Sequence, residues 1–208
     1  MFFLVFLHLE MEQIINQTVE ALRLGKTILY PTDTIWGIGC DARNAAAVER
    51  LYKVKERDHT KSMLVLVSSE FGVLSSERNA PQIISTLYTP HSTLIRPTTY
   101  ILPRSVWEGE MHLEVAPNLP AADGTLGVRV PQHRFCQEVI RRLGAPLVST
   151  SANLSGHPSP ATYDDIEKAL VERIDFCVPP LAEFLSAETR GSRIIKVNDD
   201  GSQVVLRP

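Results

Sequence analysis

Residues 28–42 read ILYPTDTIWGIGCDA, and the passage changes character at its fourth position. Ile28, Leu29 and Tyr30 are strand formers; Pro31 then opens a run of Thr32, Asp33 and Thr34, and Ile35 and Trp36 lead to Gly37 and Gly39. β-Branched and aromatic side chains suit a pleated, half-buried surface, whereas Pro, Asp and Gly suit turns. A buried strand therefore delivers a polar loop at its end. A plain turn accounts for the Pro, Asp and Gly. A ligand loop accounts as well for the apolar residues that interrupt the polar ones, because binding residues collect on loops held by a rigid scaffold. The stretch alone leaves both readings open.

The segments around it settle the fold class. Before it, Ile14, Ile15, Val19 and Leu22 recur at helical spacing, and Gly25 stands where a C-terminal cap belongs. After it, Asn44 can cap a helix over AAAVERLYKVK, and SMLVLVSS is a short apolar run of the kind expected for a strand covered on both faces. Between residues 70 and 120 the pattern weakens to two short helical stretches, EFGVLSS and PQIISTLY, then TTYILP and a Pro-rich loop containing Trp107. From Leu126 it recovers: strand LGVRVP, helix HRFCQEVIRRL closed by Gly144, strand PLVSTSA, and a helix YDDIEKALVE capped by Thr162. SRIIKVNDDGSQVVLRP reads as a hairpin with Asp-Asp-Gly at its tip. This alternation predicts an α/β (α+β) domain on a mixed sheet.

The 208 residues, 44% of them hydrophobic, are enough for one core, and no linker or repeat divides them. We expect a single domain over 1–208. Residues 1–10, MFFLVFLHLE, have no basic flank or cleavage site and are too short to span a bilayer, so they read as an extra edge strand or a start-site extension ahead of Met11. With 21 Lys and Arg against 24 Asp and Glu, the net charge of -3 gives no global pull on nucleic acid, although a local basic cleft could exist. Cys40, Cys136 and Cys177 are far apart, and no histidine pair has ligand spacing, so we expect no disulfide framework, no protein-held metal and a reducing cytoplasm.

Chemistry-bearing residues gather in three further places. KVKERDHTK carries Lys53, Lys55, Arg57 and Lys61 at a helix exit; it reads as a solvated charge run, or as an anion site if the helix ends near Lys55. In PLVSTSANLSG, strand alternation aligns Ser149 and Ser151, with Asn153 following while the chain stays extended. Arg129 sits amid apolar neighbours in LGVRVP, where an unpaired guanidinium is costly, so it needs an anion or a pocket. There is no phosphate-binding GxxxxGK[ST] loop and no GxSxG nucleophile elbow. Any reaction would run by positioning reactants and neutralising negative charge.

Taken together, YPTDTIWGIGCDA, KER, GVRVP and STSANLSG, in this order and spacing, resemble the YrdC-like family of threonylcarbamoyl-AMP synthases over about residue 12 to the end. The resemblance implies a twisted mixed sheet with helices on both faces and a concave basic cavity. It implies that L-threonine, bicarbonate and ATP, with Mg2+, give threonylcarbamoyl-AMP and pyrophosphate in the cytoplasm, feeding a tRNA threonylcarbamoyl-transfer machinery, with possible tRNA or double-stranded RNA contact and no membrane. Carried across, Lys55 and Arg57 are the catalytic cations. Thr34, Arg129 and Ser149 meet threonine, and Arg57, Lys61, Thr125, Ser151, Asn153, Ser159 and Arg207 meet ATP. The chain departs from the family pattern at LIRPTTYIL, at KSML and at GSRIIKV, where Arg193 replaces a small hydroxyl residue; it ends at VLRP, as expected of the single-domain form. Two other readings are a non-catalytic RNA-binding protein using the same cavity and, prompted by Arg193, a paralogue that adenylates another carbamoyl acceptor.

Overall fold

No Gly or Pro interrupts residues 2–23, and in the computed structural model, which describes residues 2–68, 96–181 and 190–208, helix α1 runs Phe2–Arg23. The expected N-terminal edge strand is therefore replaced by helix: extending an existing helix is far easier than starting a new element, and nothing before Met11 breaks the ladder. Met11, Ile14, Ile15, Val19 and Leu22 are buried. At Gly25, φ +72°, the amides of Gly25 and Lys26 return to the carbonyls of Leu22 and Ala21 and close the helix.

Strand β1, Ile28–Tyr30, then pairs antiparallel with β2, Gly37–Gly39, so the polar residues 31–36 are the loop of a hairpin. The sequence conceals β2 because Gly-Ile-Gly offers one side chain and no alternation to read. Its glycines answer a close approach: a Cβ on Gly39 would lie 2.0 Å from the Val148 carbonyl oxygen. Helix α2, Ala45–Lys55, starts where the Asn44 side chain accepts a hydrogen bond from the Ala47 amide. It stops at Glu56, a non-glycine residue at φ +52°.

The remaining strands are β3 Leu64–Leu66, β4 Thr98–Leu102, β5 Leu126–Arg129, β6 Leu147–Ser151, β7 Phe176–Cys177, β8 Arg193–Val197 and β9 Gln203–Arg207. Helix α3, Arg134–Leu143, ends at Gly144 at φ +68°. The expected helix over YDDIEKALVE is broken into a 3-10 turn at Tyr163–Asp165 and a short α4 at Lys168–Val171. A capping box joins Thr162 to Asp165, and the extended ψ angles of Ile166 and Glu167 separate the two pieces. The Pro-rich stretch contains a π-helical turn, Ser105–Glu110. The stretches EFGVLSS and PQIISTLY lie outside the described residues.

The nine strands form one mixed sheet in the order β7-β1-β2-β6-β3-β5-β4-β8-β9. Pairs β1–β7, β3–β5 and β4–β8 are parallel and the others antiparallel. Alternation sorts its side chains onto two faces. Ile28, Tyr30, Leu66 and Leu147 pack with α1 and α3, while Leu29, Val65, Val128 and Val148 pack with α2 and Trp107. Helices thus lie on both faces, as expected.

Candidate active site

Ser149 and Ser151 continue the face of β6 that carries Leu147, and Leu64 continues the face of β3 that carries Leu66. That face, beside α1 and α3, opens into a cavity of about 310 Å³. Its strand-borne lining combines small or hydroxylic residues, Gly37, Thr99, Gly127, Ser149 and Ser151, with the apolar Leu64, Ile101 and Ile194. Its walls come from the β1–β2 loop, the α2 exit and the β8–β9 hairpin. Three arginines, Arg57, Arg129 and Arg207, line it, and no Asp or Glu is among its described lining residues.

The β1–β2 loop is held by its own hydroxyls. Thr32 Oγ1 donates to the Ile35 carbonyl and accepts from the Thr34 amide, and the two threonine hydroxyls lie 2.9 Å apart. Arg129, 3% exposed at the end of β5, donates through Nη1 to Thr34 Oγ1 at 3.0 Å. Its Nη2 stands 3.5 Å from Asp33 Oδ1, too far for a good hydrogen bond, and both Arg129 Nε and that Asp33 oxygen are buried without a hydrogen-bond partner. Asp33 Oδ2 accepts from the Gln132 amide. Arg129 is thus half-satisfied by protein and keeps donor capacity in a cavity that Thr34 and Ser149 also line.

Arg57 is fixed by backbone instead: Nε donates to the Lys61 carbonyl at 2.7 Å and Nη2 to the Ser62 carbonyl at 2.9 Å. Burial lowers its proton affinity. Arg207 reaches back from β9 to donate to the Ser192 carbonyl and lies over Gly191, where a Cβ would meet its Nη2 at 2.9 Å. Burial first, then the charges of Arg96 and Arg129, lower its proton affinity too. A bound anion would relieve the charge that Arg96 and Arg129 impose on Arg207.

The residues singled out from sequence are distributed as follows. Thr34, Arg57, Arg129, Ser149, Ser151, Ser159 and Arg207 all line the cavity. Lys55 does not: α2 ends where an anion site would require, yet the Lys55 ammonium turns into the protein among four oxygens of Ser151 and Asn153. Asn153 lies off the lining because the chain ceases to be extended after Ser151: the Asn153 amide bonds the Ser151 carbonyl, and Nδ2 holds the carbonyls of Leu154 and His157. Lys61 is exposed and contributes its carbonyl to Arg57. Thr125 bonds Asp123 at the end of β5 remote from Arg129, outside the cavity, because β5 runs toward the site from Leu126 onward. Arg193 is also off the lining, which takes Ser192 and Ile194 from that segment; Arg193 stands beside Tyr100 instead.

Sequence reasoning passed over the Thr99–Ser192 hydroxyl pair, 2.7 Å apart in the cavity wall, and the bracing role of Thr32. Alternation in TTYIL aligns Thr99 with Ile101, but only the β4–β8 pairing brings Ser192 alongside. Among the described residues, no group of three His, Cys, Asp or Glu could hold a metal, and no helix is long and apolar enough to cross a membrane.

The model of the Sua5/YciO/YrdC family, described as telomere recombination, matches residues 20–208. The threonylcarbamoyl-AMP synthase of Vibrio campbellii is 30% identical over 193 residues, covering 92% of this chain and 97% of that protein. The protein of the same name from Xanthomonas oryzae pv. oryzae is 34% identical over 201 residues, covering 93% and 96%. Among solved structures, P. abyssi Sua5 complexed with L-threonine aligns at TM-score 0.74 and 25% identity over 93% of this chain, which spans 53% of that longer one. E. coli YciO aligns at TM-score 0.66 and 24% identity, covering 94% of this chain and 88% of its own, a likeness of fold. With residues 20–208 matched by the family model, and with relatives aligned over more than nine-tenths of both chains, the protein is a member of the Sua5/YciO/YrdC family.

Proposed function

We propose that this protein is an L-threonylcarbamoyladenylate synthase. The observation that carries the reading is the cavity itself: three arginines with no acid among its described lining residues, one of them, Arg129, buried, donating through Nη1 to the Thr34 hydroxyl and keeping an Nε–H without a partner. Such a site suits two anionic reactants, an amino-acid carboxylate and a triphosphate. The names of the curated relatives, and the threonine in the Sua5 complex, favour these particular substrates.

In this reading the threonine amine and bicarbonate condense to a carbamate with loss of water. A carbamate oxygen then attacks the α-phosphorus of ATP, and the α,β-bridging bond breaks to release pyrophosphate. No enzyme nucleophile is required. The chain contributes proximity and cationic stabilisation of charge that moves onto the leaving group. Arg129 would hold the threonine carboxylate through its fork, with Thr34 and Ser149 beside it, and Arg57, Ser151, Ser159 and Arg207 would meet the nucleotide. Mg2+ ordinarily bridges one or two carboxylates and phosphates. With no carboxylate in the described lining, it would arrive on the phosphates of ATP as part of the substrate. Transfer of the threonylcarbamoyl group to tRNA would be the work of other proteins, in the cytoplasm.

Arg193 prompted the reading in which another acceptor replaces threonine. Its side chain lies off the cavity, so it gives that reading no foothold. The test is pyrophosphate release by purified protein with MgATP, omitting threonine or bicarbonate in turn. Release that needs both supports the proposal; release without bicarbonate points to plain amino-acid adenylation, and no release points to a binding protein.

A further inference from the structure

Lys55 is the last residue of α2 and is 2% exposed, a rare position for an ammonium. Its Nζ donates to the Ser151 carbonyl at 2.6 Å and the Asn153 carbonyl at 2.8 Å, with Ser151 Oγ at 3.3 Å and Asn153 Oδ1 at 3.2 Å. An ammonium has three protons, so the two short bonds and the shared third exhaust it. None is left for a substrate phosphate. The backbone of Lys55 engages the same segment, since the Ser155 amide donates to the Lys55 carbonyl. Asn153 extends the hold through Nδ2 to the Leu154 and His157 carbonyls.

Two cavity elements therefore meet at one side chain. On one side is the α2 exit, whose Arg57 is pinned two residues later by the Lys61 and Ser62 carbonyls. On the other is the end of β6 and the loop that presents Ser151 and Ser159. We propose that Lys55 is a positioning residue, a buried clamp that locks the Arg57 segment to the 151–159 loop so that their polar groups face one ligand in fixed relation, and that it does not touch substrate. Burial first, and then the neighbouring charge of Arg57, weaken the hold of Lys55 on its proton, while the four oxygens around Nζ oppose that loss by accepting from the ammonium. No carboxylate side chain is among its hydrogen-bond partners, which are two carbonyls, a hydroxyl and an amide oxygen.

The clamp rests on the geometry, and only its relevance to ATP rests on the function proposed above. The experiment compares wild type, Lys55→Met and Arg57→Ala by backbone hydrogen exchange and by calorimetric titration with inorganic pyrophosphate across a salt series. In Lys55→Met, amides of 152–160 should exchange about tenfold faster or more while those of β3 and β5 keep their protection, because local opening follows local contacts. Pyrophosphate affinity should fall by about threefold to tenfold with its salt dependence unchanged, since no ligating charge has been removed. Arg57→Ala should instead flatten the salt dependence and leave exchange at 152–160 alone. Unchanged exchange in Lys55→Met together with a flattened salt dependence would make Lys55 a direct phosphate ligand and overturn the proposal. Unchanged exchange with unchanged affinity would overturn it as well. If Lys55→Met does not fold, Lys55→Gln, which keeps two N–H donors, takes its place with the same expected directions. Should wild type not bind pyrophosphate, the proposed reaction is refuted, and the exchange data still decide the clamp.

Discussion

Arg129 is held by side chains and Arg57 by backbone carbonyls, and this difference decides what each substitution should do. Arg129→Ala removes a buried cation with an open N–H and strands Asp33 beside the gap. Threonine binding should weaken by about 2–5 kcal/mol while ATP binding alone changes little. Arg57→Ala leaves threonine binding intact and lowers turnover at saturating substrates, because its contact gains strength as charge moves toward pyrophosphate. Calorimetry of each variant with each ligand, beside steady-state rates, checks the pair; loss of ATP binding with retained threonine binding in Arg129→Ala would reverse the assignment. Lys55 adds a pH dependence. Burial and then Arg57 lower its pKa from the ordinary 10.5 to about 7. Between those values the unfolded chain binds the extra proton, so this group makes stability rise with pH across that window. Urea midpoints from pH 7 to pH 9 should show the rise in wild type and a smaller one in Lys55→Met; equal slopes would mean that the oxygen cage keeps Lys55 charged throughout.

Elements carry the cavity wall, and β2 is the one on which most depends. In Gly39→Ala the new Cβ would overlap the Val148 carbonyl, so β2 and β6 must separate. Overpacking of this kind costs about 1–3 kcal/mol, and here it also displaces the 31–36 loop. A lowered urea midpoint should therefore come with weakened threonine binding. Asn44→Ala, which removes the cap of α2 on the other face, should cost about 1 kcal/mol and leave threonine binding alone. Substitutions at Gly39 and Asn44 that behaved alike would separate the loop from the site. The contrast also marks what the sequence could disclose. Asn44, Gly25 and Gly144 act through bonds within a few residues, so caps and helix ends were legible. β2 pairs with β1 and with β6, more than a hundred residues away, but Gly-Ile-Gly has no alternation to reveal either pairing, so in the sequence it looks like loop. Ser149 and Ser151 were placed correctly by alternation. Asn153 was not, because a local turn and the Lys55 cage end the alternation at Ser151. Thr99 and Ser192 needed the β4–β8 pairing before they could be seen as neighbours.

At the scale of the whole molecule, a sheet with helices on both faces leaves one patch of small, hydroxylic strand residues beside α1 and α3 and surrounds it with arginines drawn from three separate elements. The arrangement accounts for catalysis without a nucleophile and for a chain of net charge -3 that could still collect anions in one place. It also bears on acceptor choice: if the pocket is shaped to threonine, serine loses a methyl contact and should turn over about tenfold less efficiently. The central claim is that carbamate formation and adenylation occur on this one chain. The direct measurement is mass spectrometry of the product formed by the purified protein from MgATP, L-threonine and isotope-labelled bicarbonate. The account predicts an adenylate carrying threonine and one labelled carbon, formed with equimolar pyrophosphate. An adenylate of threonine lacking the label, or threonine and ATP recovered unchanged, would contradict it.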